Sequence, residues 1–167
     1  AGAWALGLNL SGNVHEVEPG ALYRSAQLDG GSLAALVAEH GIRTVINLRG
    51  EHSGAAWYDD EVRVTQEAGA RHFDIALSAN EEPDAATMAR LVTLLQTAER
   101  PILVHCQGGA DRSGLASALY EYVVDHVPPD EAAGQLSFRY GHFPWLWSRS
   151  GAMDRTFADF VATSPQP

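Results

Sequence analysis

The 167-residue chain has one cysteine and no lysine. A single thiol excludes an internal disulfide framework and any zinc site built from several thiolates. All eleven basic residues are arginines, set against 21 acidic ones. The resulting formal charge of −10 leaves no broad cationic face for nucleic acid or an anionic membrane, since such faces need clustered cations to neutralise phosphates. An anionic ligand must be held by a small local site against an unfavourable overall field, which salt screens beyond about 10 Å. No run of about 18 apolar residues occurs, so no membrane-spanning helix is expected. The first residues lack the charged and continuously apolar regions of a signal peptide. The chain opens on Ala1 rather than Met, which leaves room for an upstream signal or anchor, and both cytoplasm and periplasm remain open. The seven histidines lack the close spacing that builds a metal centre on one element, so neither a metal nor a cofactor is expected.

Hydrophobic residues make up 46% of the chain, enough at this length to bury the core of one domain. Residues 1–19 read as an extended N-terminal segment, with Trp4, Leu6, Leu8 and Leu10 alternating with small or polar residues. Residues 20–163 read as the domain itself. "GALYRSAQL" predicts a short strand, and "SLAALVAEHG" a helix capped by Ser32 and closed by Gly41. "IRTVINLRG" has the β-branched centre of a buried strand. A second helix is expected from about Ala55 to Ala68, a strand in "RHFDIAL", and a periodic helix in "DAATMARLVTLLQTAER" with Pro83 near its first turn. "PILVHC" gives another strand, and "RSGLASALYEYVVDHV" a long helix with Leu115, Leu119, Tyr122 and Val123 on one stripe. Strands alternating with helices predict an α/β fold: a single domain with a mostly parallel central sheet flanked by helices. Ligands of such sheets bind at the carboxyl ends of strands, where Cys106 falls.

Between Cys106 and Arg112 lie Gln107, Gly108, Gly109, Ala110 and Asp111, joining a strand end to a helix start. The glycines let backbone N–H groups turn inward, and the helix start adds unpaired amides and the positive end of its dipole. Such a nest binds an oxyanion, and the planar guanidinium of Arg112 grips two of its oxygens. The same field favours ionisation of Cys106, making it a thiolate nucleophile.

His105, Cys106, Gly109, Arg112 and Ser113 fit the HCxxGxxR(S/T) signature loop of the cysteine-dependent protein tyrosine and dual-specificity phosphatases, and the chain resembles that family. "LYRSAQL", "GIRTVINLRG" and "GLASALY" are similar to counterparts in atypical bacterial dual-specificity phosphatases, extending the resemblance over residues 20–145. It implies a phosphatase-type loop between strand and helix and a two-step hydrolysis of phosphomonoesters in proteins. Cys106 would attack phosphorus and water would then release phosphate. It further implies that Arg112 holds the equatorial oxygens, Ser113 donates to the departing thiolate and His105 supports the loop.

The general acid has three candidates. Asp111 immediately precedes the arginine, as in phosphatases whose loop ends in "DR". Asp84 sits in a loop and helix start that would face the site, beside Glu81 and Glu82. Asp74 lies at the family's usual distance before the cysteine, but inside a predicted strand. A carboxylate at Asp111 serves equally well to brace Arg112.

Arg24, Ser25, Arg49 and Glu51 are read as structural rather than substrate-contacting. The aromatic group Phe138, Tyr140, Phe143, Trp145 and Trp147 is read mainly as core. Three other readings stand beside a protein phosphatase, one of them a non-catalytic phosphate-binding module, against which an intact Cys106 and Arg112 speak. A rhodanese-like sulfurtransferase also carries its cysteine loop at a strand end. A phosphoinositide phosphatase is the third, although Gln107, Gly108, Gly109 and Ala110 supply none of the cations a polyphosphorylated head group attracts.

Overall fold

The computed structural model describes residues 12–136 and 151–166. Five strands, β1 (His15–Glu18), β2 (Leu22–Ser25), β3 (Thr44–Asn47), β4 (Arg71–Asp74) and β5 (Ile102–His105), form one sheet in the order β1-β2-β5-β3-β4. From β2 to β4 all pairings are parallel, and β1 closes one edge antiparallel to β2. The helices are α1 (Gly30–His40), α2 (Ala56–Glu67), α3 (Ala85–Thr97), α4 (Asp111–Val123), the single turn α5 (Pro129–Ala132) and α6 (Ala152–Thr163), with a 3₁₀ turn at Ala133–Gln135. The chain is thus a single α/β domain with a mostly parallel sheet between helices. Trp4, Leu6, Leu8 and Leu10 lie outside the described residues, as do the five aromatics from Phe138 to Trp147.

Strands β2, β3 and β5 are buried at every position, the signature of a parallel sheet covered on both faces. Side chains alternate between faces along each strand. Ile102 and Val104 of β5 pack with Leu91 and Leu95 of α3, Leu115 and Leu119 of α4 and Phe157 of α6. Leu103 packs with Leu33, Leu36 and Val37 of α1 and Val64 of α2. The same alternation carries past the strand end: Cys106 joins the α4 face, while His105 turns to the α2 face. Helix α4 is not a one-sided stripe, because every residue from Ser113 to Tyr120 is buried. It runs through the interior, between the sheet and the helices outside it.

Two helix starts differ in detail from the sequence reading. Ser32 is not the cap of α1; Asp29 is, its carboxylate accepting the Ser32 amide at 2.7 Å. The helix therefore starts at Gly30, where a Cβ would collide with the Asp60 carboxylate of α2. Helix α3 is capped by Asp84, which accepts the Thr87 amide at 2.7 Å, so Pro83 lies before the cap. Gly41 closes α1 with φ of +64°, as the sequence predicts.

At the sheet end away from Cys106, partial burial and the neighbouring Glu18 carboxylate push the Asp125 carboxyl up to about 6. An acid that holds its proton more tightly folded than unfolded withdraws stability as pH rises from its unfolded pKa of 3.8 through about 6. Asp125→Asn is therefore expected to raise the melting temperature at pH 7.5 by roughly 1–3 °C. At pH 4 the difference should vanish, and scanning calorimetry at both pH values checks it.

Candidate active site

Cys106 follows β5 directly and is 2% exposed. The loop behind it is fixed from outside through its carbonyls. Gln107 O accepts the Gln27 amide at 3.0 Å. Asn13 Nδ2 donates to Gly108 O at 3.1 Å and Gly109 O at 3.2 Å. Arg24 Nη2 donates to Gly109 O at 3.0 Å and Ala110 O at 3.1 Å, while its Nη1 holds Gln135 through O and Oε1 at 2.7 and 2.9 Å. A trans peptide plane points its N–H opposite its C=O, so carbonyls tied outward leave the amides to the inside. Gly109 N donates to Cys106 Sγ at 3.2 Å, and Ser113 Oγ lies 3.5 Å from the same sulfur. Gly109 must be glycine: its φ is +75°, and a Cβ would sit 2.6 Å from Ala26 N.

Arg24 is fully buried and its structural role is to brace the loop by hydrogen bonds to carbonyls. Ser25 donates to Ala26 O at 2.8 Å. Arg112 stands in the first turn of α4, its Nη1 donating to Leu77 O at 3.4 Å. Its Nε is buried and finds no acceptor among the described residues. A buried N–H of a cation without an acceptor is costly. Asp111 is the first residue of α4 and is half-buried.

The other two acid candidates hold structural bonds. Asp74 accepts from Asn47 Nδ2 at 2.9 Å and from the Tyr58 hydroxyl at 2.5 Å. Burial and that bond push the Tyr58 hydroxyl far above its ordinary range. Asp84 is exposed, and the Thr87 backbone bond of its cap holds its carboxyl below the usual carboxylate value. Among the described residues no group of three His, Cys, Asp or Glu is arranged to hold a metal, and no helix is long and apolar enough to cross a membrane.

Glu61, which the sequence reading did not single out, lies behind the loop. It is 2% exposed and sits between His72 Nε2 at 2.6 Å and His105 Nε2 at 2.7 Å. Gln27 Nε2 donates to it at 2.9 Å. Burial works to raise its carboxyl, but hydrogen bonds from His105 and His72 outweigh this and hold it at about 2. The available signal was its position on α2 three residues after Tyr58 and three before Val64, both buried. A carboxylate on the apolar stripe of a helix demands buried partners. Because its folded pKa lies below the ordinary 4.5, its stabilisation is present above about pH 4.5 and is lost as pH falls through about 2. Glu61→Gln is expected to melt several degrees lower than wild type at pH 7, because it leaves two buried imidazoles without their anion. The gap should narrow as pH approaches 2, which circular dichroism melts across that range would show.

A thiol accepting a loop amide, an arginine in the first turn of the buried helix that follows and a strand end at the middle of a parallel sheet together define the fold and loop of a cysteine-dependent phosphatase. Residues 6–132 match the family model described as "Tyrosine phosphatase family". The chain belongs to that family. It is 32% identical over 143 residues to the dual specificity protein phosphatase TpbA of Pseudomonas aeruginosa, an alignment covering 84% of this chain and 60% of TpbA. The chain thus spans less than two thirds of the length of that curated relative. The crystal structure of P. aeruginosa TpbA superposes with a TM-score of 0.62 at 25% identity, covering 93% of this chain and 86% of that one. PTPMT1 in complex with PI(5)P has the same fold, with a TM-score of 0.66 at 18% identity over 90% and 98% of the two chains.

Proposed function

We propose that this chain is a cysteine-dependent phosphomonoesterase acting on phosphotyrosine, and on phosphoserine or phosphothreonine, in proteins. The observation that carries the reading is the pairing of Cys106 Sγ, bonded by the Gly109 amide at 3.2 Å, with the unpartnered buried Nε of Arg112. Amides and guanidinium converge where a tetrahedral dianion would rest, and they strengthen as charge builds on the equatorial oxygens. Relationship to TpbA, named a dual specificity protein phosphatase, supports the substrate class. The absence of cations from Gln107 to Ala110 weighs against a polyphosphorylated lipid head group.

In the first step the Cys106 thiolate attacks phosphorus in line, the S–P bond forms and the P–O ester bond breaks. Asp111, at the loop's end, gives its proton to the departing ester oxygen. In the second step the Asp111 carboxylate takes a proton from water, the water oxygen attacks phosphorus and the S–P bond breaks. Inorganic phosphate leaves and the thiolate is restored, stabilised by the hydroxyl of Ser113 donating to sulfur. Loop amides from Gln107 to Ala110 and the Arg112 guanidinium bind the phosphoryl oxygens in both steps. Glu61 acts through His105, holding the imidazole under the loop so that the sulfur stays aligned.

Turnover of para-nitrophenyl phosphate with stoichiometric phosphate release, blocked by orthovanadate, tests the reading. Thiocyanate formation from thiosulfate and cyanide without phosphatase activity would overturn it in favour of a sulfurtransferase.

A further inference from the structure

Arg49 leaves β3 on the same rim as the cysteine loop. The adjoining Leu48 amide donates to His105 O at 2.9 Å, so the exit of β3 runs beside the strand that delivers Cys106. The guanidinium sits over the Trp57 indole, its Cζ 3.7 Å from the ring centroid. Its Nη1 donates to Gln27 Oε1 at 3.0 Å. Gln27 is itself fixed, by its amide to Gln107 O at 3.0 Å and by its side chain to Glu61 at 2.9 Å. The cation is therefore held one side chain away from the loop, in a set orientation and half-exposed.

Three exposed arginines are neutralised, Arg43 by Glu99, Arg63 by Asp60 and Glu67, and Arg155 by Glu82, whereas Arg71 and Arg90 are exposed without an ion pair among the described residues and are not fixed against an aromatic ring as Arg49 is. Arg49 has no carboxylate within ion-pair distance among the described residues, and its Nε–Nη2 edge makes no hydrogen bond there. Burial and then the charge of Arg112 make its protonated form harder to hold, while Glu61 and then Cys106 favour it, the balance lying below the ordinary arginine value. Two guanidiniums converging on one rim repel until anions lie between them. The scissile phosphate occupies Arg112. The open edge of Arg49 presents two parallel N–H donors, the geometry that a carboxylate matches.

We propose that Arg49, stacked on Trp57 and locked by Gln27, is a second anion site that reads an acidic side chain flanking the phosphorylated residue of a protein substrate. One added guanidinium matches one added carboxylate. A polyphosphorylated sugar would bring several further charges against a formal charge of −10. The inference rests on the phosphatase reading for the identity of the first anion.

The test compares two phosphotyrosine peptides that differ only in carrying Asp and Glu or Asn and Gln beside the phosphotyrosine. Binding is measured by fluorescence anisotropy on the Cys106→Ser background, with Arg49 intact or changed to Gln, so that the result does not depend on turnover. With Arg49 present the acidic peptide should bind about tenfold tighter, a charge-assisted pair's worth, and the advantage should shrink in high salt. With Arg49→Gln the preference should fall to about twofold or less, and Arg49→Lys should recover only part of it. A preference that survives Arg49→Gln in a variant of unchanged melting temperature would overturn the proposal, as would its absence with Arg49 intact. An inositol polyphosphate that outcompetes the acidic peptide only when Arg49 is present would overturn the peptide assignment and make the second anion a phosphate. Failure of the wild type to hydrolyse para-nitrophenyl phosphate would strike the phosphatase reading instead, and the peptide affinities would still decide the role of Arg49.

Discussion

Cys106→Ser is expected to lower kcat on para-nitrophenyl phosphate by on the order of 10⁴-fold or more while leaving oxyanion binding intact. Sulfur is the stronger nucleophile, and a serine hydroxyl in its place attacks phosphorus poorly without a neighbouring base. Binding is made by other groups: the loop amides, of which those of Gly109, Ala110 and Asp111 are set by Asn13 and Arg24 through the carbonyl of the preceding residue, and the guanidinium of Arg112. None of these depends on sulfur. The variant should therefore bind a phosphotyrosine peptide with an affinity close to the wild-type KM, measurable by titration calorimetry. Turnover within about tenfold of wild type would mean that another residue performs the attack.

Asp111→Asn is expected to slow hydrolysis in proportion to how poor the leaving group is. A positioned general acid contributes about 10²–10⁴-fold when the leaving oxygen needs a proton. A nitrophenolate leaves well without one, so its hydrolysis should fall about tenfold or less, whereas phenyl phosphate or a phosphotyrosine peptide should lose about 10²-fold or more. The dependence of log kcat/KM on leaving-group pKa should steepen in the variant. Equal losses on every substrate would leave Asp111 as a brace for Arg112. The remaining candidates would then have to leave existing bonds: Asp84 its cap on Thr87, and Asp74 its contacts with Tyr58 and Asn47.

What could be read in advance follows how local each feature is. The segment from His105 to Ser113 carries nucleophile, nest and guanidinium within nine consecutive residues, so its chemistry needs no knowledge of the sheet. The buried β-branched runs at 44–47 and 102–105 likewise announce parallel strands. The loop's outer supports were not legible. Asn13 reaches Gly109 across 96 residues and Arg24 reaches Ala110 across 86, contacts created when β2 is laid beside β5. In one dimension Arg24 is a cation after a strand, indistinguishable from a surface residue; only burial on all sides shows that it holds carbonyls. Glu61 is similar. Its pairing with His72 and His105 depends on the side-chain alternation of β5 turning His105 to the opposite face from Cys106, and on α2 covering that face. Ser32 was misplaced for a smaller reason: Asp29 and Ser32 are both good caps, and sequence alone does not say which of two competing side chains starts the helix.

The most direct test of a phosphoryl-accepting Cys106 is rapid quenching of the wild-type protein during turnover of a radiolabelled phosphotyrosine peptide, followed by peptide mapping. Label should appear on the fragment containing Cys106 at a level approaching one per active site as hydrolysis of the intermediate is slowed, and the Cys106→Ser protein should carry none there. Sustained release of phosphate with no labelled protein at any quench time, or with label on a different residue, would contradict the account.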